Sequence, residues 1–209
     1  MNTNIERLEG VIDEIMGRAT QSSDRLQALA DYVKERLADH GLPGASGGSG
    51  GELRIKGLAR EKDWDVAYDF AGKKRLLISL KSIWKNPGGV VPNRLDDLMG
   101  EVANVQQYSP EIVIGYILVF DSFIDAQRRD DRLRWSEFLE AGLRRIAIRK
   151  APLWNQGLLE AFWLIRIDSS KPKNSRILFP EAADSEGGRF FESLIAELRL
   201  REPAIPFTK

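Results

Sequence analysis

Residues 112–120, Ile-Val-Ile-Gly-Tyr-Ile-Leu-Val-Phe, constrain the fold more than any other stretch of the chain. A half-buried strand alternates apolar with polar residues, whereas a strand-length run that is apolar at almost every position must be covered on both faces. This run therefore implies a central strand with helices on either side. No apolar stretch approaches the roughly 20 residues that span a bilayer, so the chain reads as a soluble protein with no membrane partner.

The segments around that strand supply the layers. Leu95, Leu98, Met99, Val102 and Val105 recur at helical spacing and predict a helix from about Asn93 to Tyr108, with Asp97, Glu101 and Asn104 on a neighbouring polar face. Ser109-Pro110 ends it. Residues 83–92, which hold Pro87, Gly88 and Gly89, read as a loop. Further on, residues 135–143 read as a helix, 146–149 as a short strand and 162–167 as another. Phe190, Phe191, Leu194, Ile195 and Leu198 mark a last helix over 189–200. The alternation of strands and helices predicts an α/β (α+β) fold, a mixed β-sheet flanked by helices.

Two amphipathic helices precede this core. One carries Ile5, Leu8, Val11, Ile12, Ile15 and Met16; the other carries Leu26, Leu29, Ala30, Val33 and Leu37 after the capping-type residues Ser22, Ser23 and Asp24. They form an N-terminal helical hairpin over residues 1–40, which either packs on the main domain or pairs with another subunit. His40, before a glycine, reads as a residue of a helix end. Residues 41–51, GLPGASGGSGG, read as a flexible linker, and residues 52–209 as the core domain. At 209 residues and 43% hydrophobic content, the chain suits one good core.

A β-hairpin carries the chemistry. On the first strand Trp64, Val66, Tyr68 and Phe70 share one face, leaving Asp63, Asp65, Ala67 and Asp69 on the other. The second strand, Arg75 to Ser82, is apolar until Ser79 and Lys81, which share a face. Bringing Asp65 beside them sets odd-numbered residues against odd, which needs an odd loop or a bulge. A three-residue loop over Ala71 to Lys73 does this, placing Asp65 opposite Ser79 and Asp63 opposite Lys81. An acid beside a lysine at a hairpin end suits a metal and an activated water. Read alone, Lys81 is a strand-end lysine reaching solvent.

Asp65, then Ser79-Leu80-Lys81 on the next strand, then the helix Asn93-Arg94-Leu95-Asp96-Asp97-Leu98-Met99-Gly100-Glu101, resembles the active site of the PD-(D/E)XK nucleases, and specifically of type II restriction endonucleases. The resemblance covers roughly Glu52 to Phe120. It implies a restriction-endonuclease-like fold and Mg²⁺-dependent phosphodiester hydrolysis that leaves 5′-phosphate ends. In that family an acid stands two residues before the lysine; here Ser79 does, and a neutral hydroxyl is a poor ligand for a hard cation. Some restriction enzymes with this Ser-X-Lys pattern recruit a glutamate from the following helix. Glu101 is the best match for that displaced acid, with Asp97 second and Glu52 a further acid.

The resemblance thus implies that Asp65 and Glu101 hold the Mg²⁺ with the Leu80 carbonyl, and that Lys81 orients the attacking water. It also implies double-stranded DNA as substrate and a homodimer, with a heterodimer as the alternative. Another nuclease of the superfamily, for repair or defence, and a catalytically silent DNA-binding or assembly module remain as other readings.

Composition adds limits. Lys and Arg number 31, as do Asp and Glu, so a DNA-binding surface has to be local. Basic clusters occur at 54–62, 73–75, 128–134, 144–150 and 171–176, mostly as solvated faces. Lys73 and Lys74 are candidates for phosphates, and Lys85, Asn86, Asn93 and Arg94 for base edges. Trp64, Trp135, Trp154 and Trp163 read as core or interface residues. The absence of cysteine excludes disulfides, thiolate-bound zinc and a cysteine nucleophile, and fits a reducing cytoplasm.

Overall fold

The computed structural model describes residues 3–19, 24–48, 51 and 53–208. The N-terminal pair is α1 (Asn4–Gly17) and α2 (Gln27–Asp39). A capping box starts α1, with the Thr3 hydroxyl accepting from the Glu6 N–H and the Glu6 carboxylate from the Thr3 N–H. His40 caps the end of α2, its N–H donating to the Arg36 carbonyl and its ring stacked on Phe191. Burial in that stack, followed by the neighbouring Arg36, holds the imidazole below its usual range. Ser22 and Ser23 lie outside the described residues.

The remaining elements are β1 (Ser46–Gly47), β2 (Leu53–Ile55), β3 (Lys62–Trp64), β4 (Val66–Phe70), β5 (Lys73–Ile83), α3 (Pro87–Tyr108), β6 (Val113–Asp121), α4 (Trp135–Ile146), β7 (Ala161–Ile167) and α5 (Pro180–Arg201). Five strands form one sheet in the order β1-β4-β5-β6-β7, while β2 and β3 pair separately. β1, β4 and β5 run antiparallel, and β5, β6 and β7 parallel, so the sheet is mixed.

All nine residues of β6 are buried. Ile114, Tyr116, Leu118 and Phe120 face the core under α3 and α4. Val113, Ile117 and Val119 face the core shared with α1, α2 and α5. At Gly115 a Cβ would meet Phe190 and Leu194 within 2.9 Å, so the glycine lets α5 lie directly on the strand. No helix among the described residues is long and apolar enough to cross a membrane.

Several expected boundaries move. The stretch expected as linker contributes the edge strand Ser46–Gly47, whose partners are Ala67 and Val66. Gly47 has φ +116°, and a Cβ there would lie 2.0 Å from the Asp65 carbonyl oxygen, which is why a glycine-rich segment can lie flat on the sheet edge. The helix expected from Asn93 begins at Pro87. Left-handed Asn86 caps it, and a proline in the first turn has no N–H to leave unpaired. The last helix begins at Pro180 rather than 189, and its Gly187 lets the helix approach the Trp163 ring.

The hairpin differs from expectation in turn and face. Its turn has two residues, Ala71 and Gly72, both at positive φ, with Phe70 paired to Lys73. The register then shifts between Tyr68 and Asp69, because Tyr68 faces Leu76 and Asp69 faces Lys74, which leaves Arg75 as a bulge residue. The first strand also breaks at Asp65. Before the break β3 pairs with β2, setting Asp63 against Arg54 rather than Lys81. Trp64 accordingly packs in the core under α3, not on the face of Val66 and Tyr68.

Residues 146–149 are not a strand. Ile146 ends α4 and the chain then runs over a buried ionic network. Arg149, 1% exposed, donates to the Ile112, Pro110 and Trp154 carbonyls and to Glu160. Glu160 also accepts from Arg201 and from the Ile114 N–H, so this one carboxylate joins β6, β7 and α5. Removing one partner of such a buried group leaves charge uncompensated. Glu160→Leu, which leaves the buried Arg149 without its carboxylate, should therefore lower stability by about 3–5 kcal/mol in urea unfolding.

Candidate active site

Asp65 stands at the bend between the two sheets. With Val66 opposite Ile78, the next position along sets Asp65 against Ser79, and the Leu80 N–H donates to Asp65 Oδ2 at 2.7 Å. Lys81 Nζ lies 4.0 Å from the same oxygen, and both side chains are about one-fifth exposed (24% and 16%). On the far side of β5, Ser79 pairs with Tyr116 and Lys81 with Leu118 of β6. Ser79 is buried. The bend is also held from behind, because the Gly48 N–H donates to the Asp65 carbonyl and Lys34 of α2 donates to the Gly47 carbonyl at 2.8 Å.

α3 lies over this end of the sheet with Arg94, Asp97 and Glu101 three and four residues apart, hence on one face. Glu101, whose side chain is only 9% exposed, pairs with Lys62 of β3 at 2.6 Å. One turn further, Asn104 ties the β2–β3 turn to the helix. Its side chain accepts from the Ala59 N–H and donates to the Arg60 carbonyl, both at 2.9 Å. This tether carries Lys62 to Glu101.

Two members of the cluster escaped sequence reasoning. Lys62 reads as one charge of a basic surface run, since a pairing between positions 62 and 101 leaves no local pattern. Tyr116 reads as one more apolar residue in the central strand. The available signal is that it alone in that run carries a hydroxyl. The Tyr116 hydroxyl is buried without a hydrogen-bond partner among the described residues. Burial pushes the phenol well above its ordinary range; the carboxylates of Glu101, Asp65 and Asp97 push the same way, and Arg94 opposes them.

The residues expected to contact DNA scatter. Lys73 and Lys74 stand at the turn end of β5, roughly 25 Å along the strand from Lys81, and Lys74 pairs with Asp69 at 2.6 Å. Lys85 just before α3 and Asn93 within it are exposed, while Asn86 is engaged in capping it. Arg94 is half-buried rather than presented to solvent, its Nε without a partner among the described residues. Glu52 lies outside the described residues. Trp64 and Trp163 are core residues. Trp135 packs against Arg128 and Phe138, and Trp154 donates to Glu197 at 3.0 Å.

Among the described residues, no three His, Asp or Glu side chains gather into a cage for a metal ion. Magnesium is commonly held by one or two carboxylates, with waters and substrate phosphates completing the shell. Asp65 and Glu101 are two such carboxylates, each already beside a cation, Lys81 and Lys62. No protein-family model, curated protein or solved structure matches the chain.

Asp65 has a structural share in this arrangement, because it satisfies the Leu80 N–H. Asp65→Ala should cost about 1–3 kcal/mol, the penalty for stranding a largely buried donor. Asp65→Asn keeps an acceptor and should cost distinctly less in the same thermal or urea unfolding measurement.

Proposed function

We propose that the chain is a Mg²⁺-dependent endonuclease of the type II restriction kind, on a restriction-endonuclease-like fold, hydrolysing double-stranded DNA. The observation that supports this most is the meeting of Asp65, Leu80 and Lys81 at one strand end, with Lys81 Nζ 4.0 Å from the carboxylate that the Leu80 N–H holds. Glu101 on α3, almost buried, supplies the second acid that Ser79 does not.

Asp65 and Glu101 would hold the magnesium ion, with the Leu80 carbonyl and waters. Bound there, the ion would supply Lewis acidity toward the phosphoryl oxygens and the attacking water. Lys81 would orient the attacking water, and its ammonium would offset charge growing on the phosphoryl oxygens. The water oxygen forms a bond to phosphorus as the P–O3′ bond breaks, and the 3′ oxygen leaves with a proton. The 5′ end keeps its phosphate. Cutting both strands calls for two such sites, so the working unit is a homodimer, or a heterodimer with a second nuclease chain.

A second reading, a catalytically silent DNA-binding or assembly module, is favoured by one observation. Lys62 already neutralises Glu101 at 2.6 Å.

Plasmid incubated with the protein and Mg²⁺ should give discrete fragments with 5′-phosphate ends. A random smear would favour a nonspecific nuclease of repair or defence, and DNA binding without cutting under any divalent metal would favour the silent module. Lys81→Ala should slow cutting by about 100-fold or more while DNA retention in a gel-shift assay stays near wild type. Glu101→Ala should be as damaging as Asp65→Ala, and full activity in Glu101→Ala would remove Glu101 from the site.

A further inference from the structure

The Tyr116 hydroxyl is an anomaly of the fold. A buried hydroxyl without a hydrogen bond destabilises the state that contains it, and native proteins keep few of them. Phenylalanine would fill the same space in the central strand without that cost. Tyr116 lies on the face of the sheet that α3 covers, and its Cα partner is Ser79, two residues before Lys81.

We infer that the Tyr116 hydroxyl is the hydrogen-bond donor that positions the Glu101 carboxylate when Glu101 exchanges Lys62 for a divalent cation, which makes Tyr116 a positioning residue of the site. This rests on the nuclease reading above. Glu101 is the acid of α3 whose side chain is almost buried, between Leu98 and Val102, which share the core that Tyr116 faces. Asp65 already accepts from the Leu80 N–H, and Asp97 is exposed to water. Glu101 pairs with Lys62 on β3. A carboxylate that binds a metal through one oxygen is commonly held by a hydrogen bond at the other, and losing that support typically weakens metal binding 10–100-fold. The phenol and the nearly buried Glu101 side chain lie on the side of the sheet that α3 covers, and the phenol, like Trp64 Nε1 and Arg94 Nε, is a buried donor without a partner among the described residues.

The test compares the full-length wild-type chain with Tyr116→Phe by calorimetric titration with Mn²⁺, and by urea unfolding without metal. The inference expects Tyr116→Phe to bind Mn²⁺ about 10–100-fold more weakly, with a metal-free unfolding midpoint equal to or above wild type. Cutting by the variant should recover toward the wild-type rate as metal approaches saturation. Mn²⁺ binding within about twofold of wild type would overturn the inference and leave the nuclease reading standing. So would a lowered metal-free midpoint, which would make the hydroxyl a structural bond. A wild-type chain that binds no Mn²⁺ would overturn both.

Discussion

The bulge at Arg75 is the constraint on which the arrangement around Asp65 depends. β4 and β5 leave their two-residue turn in one register, and Arg75 shifts it by one residue before Tyr68 meets Leu76. Without that shift, Asp65 would face Ile78, whose side chain belongs to the core beneath α1, α2 and α5. A one-residue slip turns a strand's side chains to the opposite face. The bulge is held by ion pairs of Arg75 with Glu111, which precedes β6, and with Glu202 after α5. Local geometry near the hairpin turn thus determines which side chains meet at the other end of the same strands.

The polar cluster at that end is supported from both layers. Below the sheet, Lys34 of α2 and the glycines of β1 hold the backbone of the bend at Asp65. Above it, Asn104 fastens the β2–β3 turn to α3, so that Lys62 meets Glu101. The N-terminal helices are therefore part of the scaffold that fixes the bend, and they share the core of the sheet rather than standing apart from it. The cluster nearly balances its own charge. Asp65, Asp97 and Glu101 stand with Lys62, Lys81 and Arg94, an arrangement whose proposed gain of a dication and a phosphodiester would leave the balance close to where it began.

Much of the frame was legible in the sequence, for identifiable reasons. A strand pleats with a period of two, so a lysine and serine at odd positions already pointed to Asp65 through a bulge or an odd loop. The unbroken apolar run of β6 required cover on both faces, and the sheet has it. The missed boundaries share a cause, which is that a local signal was outweighed by a contact formed far along the chain. Glycines at 47 and 187 suggest flexibility until a neighbouring backbone or the Trp163 ring occupies the space a side chain would need. Arg149 looks like the end of an exposed strand until the Glu160 carboxylate and three carbonyls surround it.

By itself, the sequence determined the layered architecture and the hairpin with its strand-end lysine. These follow from periodicity and residue chemistry, which act over a few neighbouring positions. Tertiary structure alone decided that the first strand breaks at Asp65, that Lys62 rather than solvent meets Glu101, and that the hydroxyl of the central strand's one phenol is buried without a partner among the described residues. Each depends on how far apart segments are brought together by the sheet order and by the docking of α3. Electrostatic contacts across such distances leave no periodic trace in the chain.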